Sequence, residues 1–299
     1  MAMNCQSTLW IKSRKTKAHQ KMIQASRKIQ ISKLAEFIAN EFSDRNLTLL
    51  NEIAKFEDVP VHYDNYEDAF DGMLLYDTDN KDFHIHINID NGNNENSKRG
   101  RFTLAHELGH FFLDEHRLGL KYGLLEPHAS FHNINHKSAI ELEADYFASC
   151  LLMPKDKFRE FSAEYRRKTG NRNFSFGTIL GLSESFQTSV LSTLIRFGEI
   201  GTHEIFAVIS KDNIAKWFVK STDFPNWKFK FKVGNTIPQT TVAGEYFTME
   251  NRKFTEIESL SADDWFNPPA DDNRADRQMY EQCFYSESYG YVISLVWFD

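Results

Sequence analysis

The stretch FTLAHELGHFFLDEH, residues 102–116, sets two histidines and a glutamate inside an apolar run. His106, Glu107 and His110 form H-E-x-x-H. On a helix, residues four apart lie one above the other, so both imidazoles can reach one zinc ion. Glu107 cannot share their line of sight, but it can reach a water in an open fourth position and act as general base. Leu104, Leu108, Phe111 and Phe112 point elsewhere and anchor the helix in a dry core. Gly109 weakens a helix interior by about 1 kcal/mol, which predicts a close approach to the backbone at that point.

A catalytic site needs a third protein ligand. The segment ELEAD places Glu141 and Asp145 four apart, with Ala144 and Ala148 on the same stripe. Glu141 then completes a His₂Glu set, and Asp145 receives the far N–H of a ligating histidine. Two alternatives stay open. Ser138-x-x-Glu141 also reads as a capping box, in which Glu141 serves only the helix start, and Glu143 could be the ligand instead. The pairing of Glu141 with a second carboxylate at the right spacing favours Glu141. The donor set suits Zn²⁺, while Mn²⁺ and Fe²⁺ remain compatible with it.

These residues need elements to position them. ISKLAEFIANEF and LTLLNEIAKFED have helical periodicity; PVHYDNY, DGMLLYD and DFHIHINID read as strands. In the last, His84 and His86 share the face opposite Phe83, Ile85 and Ile87; they could bind metal, and a solvent-facing role is preferred. The strand is also a candidate edge for an extended substrate. Asn96 or Ser97 caps the H-E-x-x-H helix. A helix-poor, His-rich stretch runs to residue 137, SAIELEADYFASCLLMP is a helix closed by Pro154, and helical pattern resumes in LSESFQTSVLSTLIRFGEIG. Beyond residue 201, HEIFAVIS and WKFKFKV look like strands, and 19 of the 42 aromatic residues fall there. The expected organisation is a basic tail over 1–30, a domain over 31–200 carrying the motif, and a β-rich domain over 201–299.

The bulk properties narrow the function. No run approaches the eighteen apolar residues of a membrane span, and the first twenty residues lack the apolar core of a secretory leader. Cys5, Cys150 and Cys283 are odd in number and far apart, which predicts a reducing, cytoplasmic setting. Residues 1–30 hold seven Lys or Arg and no acid, so residues 31–299 carry −14 against −7 for the whole chain. An acidic body argues against a DNA-binding surface. The tail could touch nucleic acid, though a solvated segment is the preferred reading.

RFTLAHELGHFFL followed by ELEADYFASCLLMP resembles the ImmA/IrrE family of zinc metallopeptidases, from near residue 31 to about residue 200. The resemblance implies an α+β, gluzincin-like fold: a small sheet beside an active-site helix, with the third ligand on the next helix. By position, His106 and His110 match the zinc histidines, Glu107 the catalytic glutamate and Glu141 the third ligand. Relatives commonly cut a helix-turn-helix transcriptional repressor and so release stress, mobile-element or phage-related genes. The alternative is a zinc-stabilised module of a toxin-antitoxin or defence system that sequesters a regulator without cutting it. The connection between His110 and Glu141 is long, and His116, Tyr122, His128, His132 or His136 could stabilise an oxyanion; Tyr122 and His128 are the first choices. The aromatic C-terminal region falls outside the strongest likeness. It could bind a ligand or the substrate protein, and ordinary core is the preferred reading.

Overall fold

A computed structural model describes residues 23–127, 130, 138–168, 174–247, 255–287 and 290–299. Its first part contains the helices α1 (Ala25–Glu41) and α2 (Leu50–Phe56), with a two-residue strand pair between them, β1 (Ser43–Asp44) and β2 (Leu47–Thr48). The strands β3 (Val61–Asp64), β4 (Gly72–Asp77) and β5 (Asp82–Asn88) form a sheet in the order β3-β5-β4, parallel at β3–β5 and antiparallel at β4–β5. The alternation of β5 works as its sequence requires. Ile85 and Ile87 are fully buried, and His84 and His86 occupy the other face beside His62 and Tyr66.

Helices α3 (Lys98–Phe112), α4 (Asp114–Lys121), α5 (Ala139–Leu152), α6 (Lys155–Lys168), α7 (Phe176–Ser185) and α8 (Val190–Ile200) follow. Ser97 caps α3, its hydroxyl accepting from the Gly100 amide at 2.9 Å. Gly201 ends α8 in the left-handed conformation, φ 68°.

Five strands, β6 (Ile205–Lys211), β7 (Ile214–Lys220), β9 (Glu258–Leu260), β11 (Met279–Ser286) and β12 (Tyr291–Phe298), make an antiparallel sheet ordered β7-β6-β12-β11-β9. The short pair β8 (Lys228–Phe229) and β10 (Phe266–Asn267) lies outside it, as do the short helices α9 (Val242–Tyr246) and α10 (Ala262–Trp265). Strand β12 is buried on both faces. Ile293, Leu295 and Trp297 join the core of the helical region, whereas Val292, Val296 and Phe298 join a second core with Phe224, Trp227, Phe231, Trp265 and Phe266. The aromatic excess beyond residue 201 is therefore packing in the two layers that the sheet separates.

Four expectations need correction. Strand β5 is the middle of its sheet; β4 and β3 are the edges, because β3 returns parallel to β5 instead of pairing with β4. Residues 25–30, counted with the basic tail, are the start of α1. The stretch after His110 is not helix-poor throughout, since α4 begins two residues after α3 ends. In WKFKFKV only Lys228 and Phe229 pair as a strand, although Trp227 and Phe231 are buried as the alternation implies. No helix among the described residues is long and apolar enough to cross a membrane.

Candidate metal centre

Helix α3 lies between the β4–β5 face and α5, and Thr103 to Phe111 are all buried. The helices α3 and α5 touch at their small residues. A Cβ on Gly109 would stand 3.2 Å from the Cα and the carbonyl oxygen of Ala144, a tight contact that glycine relieves. Gly109→Ala gains about 1 kcal/mol of helix propensity but presses on the Ala144 backbone and the Phe147 ring, which must give by a few tenths of an ångström. A net loss of roughly 1–2 kcal/mol is expected from overpacking, read as a lower melting temperature.

This proximity brings three donors together. The Nε2 atoms of His106 and His110 are 3.1 Å apart. Glu141 places Oε2 3.3 Å from His106 Nε2 and Oε1 3.3 Å from His110 Nε2. Two ligands each about 2.0–2.1 Å from a tetrahedral ion stand roughly 3.3–3.4 Å apart. His106, His110 and Glu141 thus form a possible metal site whose donor spacing fits a small divalent cation. The Ser138 hydroxyl does accept from the Glu141 amide, at 3.3 Å. The reciprocal half of a capping box is missing, because the Glu141 carboxylate is turned to the imidazoles. Glu143 faces away, to Arg27 and His116.

The outer nitrogens of both imidazoles are held. His106 Nδ1–H donates to Asp145 Oδ1 at 3.0 Å, the contact expected from the 141/145 spacing. His110 Nδ1 lies 3.1 Å from His116 Nδ1, and His116 Nε2 lies 3.4 Å from Glu143 Oε2. Burial, then the neighbouring His110, lowers the His116 pKa to about 4. Burial also works against charge on His106, but hydrogen bonds to Asp145 and Glu141 prevail and raise its pKa to about 10. In the same way the two histidines overcome burial at Glu141 and hold its carboxyl well below the usual range. The cluster attracts positive charge, and protons and a divalent cation compete for it.

Glu107 is fully buried, and neither of its carboxyl oxygens makes a hydrogen bond of ordinary geometry among the described residues. Burial pushes its pKa up to about 7, against the charge of His106 and the polar groups of Ser130 and Leu74. Enclosing a carboxyl with so little hydrogen bonding among the described residues is costly. Gly72, the first residue of β4, makes room for it, since a Cβ there would lie 2.7 Å from Glu107 Oε1.

His84 and His86 do not converge on a common point. His84 pairs with His62 at 3.1 Å, and His86 with the Tyr66 hydroxyl at 2.7 Å. Of the loop candidates, His128, His132 and His136 lie outside the described residues. Tyr122 is exposed in the wall of a cavity of about 920 Å³, which Arg27, His116 and Glu143 also line. His116 is the residue whose place the sequence reading missed. It sits six positions beyond His110, the spacing at which H-E-x-x-H-x-x-G-x-x-H peptidases carry a third ligand. Leu113 stands here in place of that glycine, and His116 turns to the outer nitrogen of His110.

Residues 73–197, which include His106, Glu107, His110 and Glu141, match the Peptidase_M78 family model, described as the IrrE N-terminal-like domain. None of the curated proteins compared matches the chain. Among solved structures, a Mycobacterium tuberculosis transcriptional regulator is similar with a TM-score of 0.55 and 14% identity, over 91% of this chain and 78% of that one. At that identity the likeness is one of fold.

Proposed function

Residues 73–197 are an IrrE N-terminal-like domain of the ImmA/IrrE metallopeptidase family, and from that premise we propose that the chain is a zinc-dependent endopeptidase with a gluzincin-like active site. Its substrate in this reading is one specific protein, a helix-turn-helix transcriptional repressor, and its cleavage controls stress, mobile-element or phage-related genes. The observation that carries the reading is a fully buried Glu107 carboxyl, its pKa pushed up to about 7, one residue from a His₂Glu donor set.

His106, His110 and Glu141 would hold the ion, which supplies Lewis-acid polarisation of the scissile carbonyl and acidifies a water beside it. Glu107 takes the proton of the attacking water on a carboxyl oxygen and delivers it to the leaving amine. Asp145 keeps the His106 proton on Nδ1, so that Nε2 presents its lone pair inward. Strand β4, an edge of its sheet that passes Glu107, is where an extended substrate segment would add in this reading. Ser130 bridges Gly72 at one end of that edge.

The rival, a zinc-stabilised binding module that sequesters a regulator, gives no use to a buried carboxyl beside the donor set. Purified chain incubated with a helix-turn-helix repressor and Zn²⁺ should yield two fragments by intact mass, and a chelator should stop the cleavage. Stable complex formation with the repressor uncut would favour sequestration instead.

A further inference from the structure

One side of the metal centre is wired to a part of the chain outside the residues matched by the family. His116 is buried, and its two ring nitrogens face different partners. Nε2 faces the carboxylate of Glu143 at 3.4 Å. A carboxylate only accepts, so the proton of a neutral His116 sits on Nε2 and its Nδ1 is left as an acceptor. The atom 3.1 Å from that acceptor is His110 Nδ1, which must therefore carry the donated hydrogen. The remaining lone pair of His110 is then on Nε2, the atom that faces His106 and Glu141.

Glu143 is fixed in turn by Arg27, whose Nε and Nη2 donate to Oε2 at 2.9 and 2.7 Å. The same guanidinium donates to both oxygens of Glu115 at 3.1 and 3.0 Å, so one arginine on α1 ties α4 to α5. A fork of this kind is more rigid than a single ion pair.

We infer that His116 is a positioning residue for His110, setting its tautomer and ring angle, and that Arg27 holds His116 through Glu143. The inference rests on the metal centre proposed above. Outer partners of ligating histidines typically govern 10- to 100-fold of metal affinity. Here that role passes through a neutral histidine to the first helix.

The test is Zn²⁺ affinity of the full chain, measured by competition with a chromophoric chelator, together with long-range ¹H–¹⁵N spectra of the His110 ring. His116→Leu removes the acceptor and should weaken Zn²⁺ binding by roughly 10- to 100-fold. His116→Gln can accept from His110 and donate to Glu143, and should restore affinity to within about threefold, with the His110 hydrogen on Nδ1. Arg27→Met, at the partly exposed end of the chain of contacts, should weaken binding by a smaller factor. It also serves as the folded control if His116→Leu is unstable. A His116→Leu protein that binds Zn²⁺ as tightly as the parent would overturn the inference. So would a His116→Gln protein as weak as His116→Leu. An unchanged Arg27→Met protein would remove Arg27 from it. The metal centre is judged separately by His110→Ala: if that variant retains parental affinity, the centre itself is wrong.

Discussion

Glu107→Gln should abolish repressor cleavage, by on the order of 10²–10⁴-fold, while Zn²⁺ content and affinity stay at the parental level. Glutamine keeps the shape and loses only the ability to take a proton. No hydrogen bond of ordinary geometry is lost, since neither oxygen of Glu107 makes one among the described residues. A pH signature should accompany the loss. Burial lifts the Glu107 pKa from the ordinary carboxyl value of 4.5 to about 7 in the folded chain. A raised carboxyl favours folding below its unfolded pKa, and that advantage fades as pH climbs through the folded value. The metal-free parent should therefore lose stability relative to Glu107→Gln between about pH 4.5 and 7, and little beyond. Mass spectrometry of the substrate, metal analysis and paired thermal melts read the three quantities. A variant that cleaves within tenfold of the parent would remove Glu107 from the chemistry.

The divide between what the chain announced and what it withheld follows the range of the interactions. Helix α3 was readable because its cap, its apolar stripe and the H-E-x-x-H spacing are all local. Gly109 was readable as a close approach, though its partner, the Ala144 backbone, was not named by the spacing alone. The choice between Glu141 and Glu143 is one of helix phase. Two residues along a helix turn a side chain through more than half a circle, so 141 and 145 face α3 and 143 faces α1. Sequence pattern favoured the first, and it is Glu141 that packs beside both imidazoles.

The pairing of β3 with β5 was not readable, because strand order is set by contacts that local alternation does not encode. Alternation in DFHIHINID marks a strand with one buried face, and such a pattern suits the middle of a sheet as well as its edge. Helix α6 went unread for a different reason. KDKFREFSAEYRRK is mostly charged, and only Phe158 and Ser162 of it are buried. The role of Arg27 was hidden by distance along the chain: its partners lie 88 and 116 residues away, and its neighbours in sequence look like a solvated basic segment.

Glu281→Ala should destabilise the chain by on the order of 3–5 kcal/mol, a cost typical of breaking a buried charged network. Glu281 is wholly enclosed on β11, and its oxygens collect donors from three other elements. The Val242 and Ala243 amides at the start of α9 donate at 3.0 Å each, Trp265 Nε1 of α10 donates at 2.9 Å, and the Ser294 hydroxyl of β12 also donates. Burial raises its pKa, and those donors work against the rise. Alanine would strand these donors around a cavity. Glutamine should fall between, because its one oxygen can satisfy part of the set while its NH₂ group meets donor amides. Urea unfolding, with near-ultraviolet circular dichroism following Trp265, measures the shift; a loss below about 1 kcal/mol would show that water or relaxation replaces the carboxylate. The outcome also bears on whether the aromatic layer takes a ligand. A carboxylate aimed at a ligand would be left partly unsatisfied, as at Glu107. The one at Glu281 is saturated by its own chain, and the rings beside it are packed against each other. Its charge is committed to closing the outer face of the sheet, a structural duty distinct from the chemistry of α3.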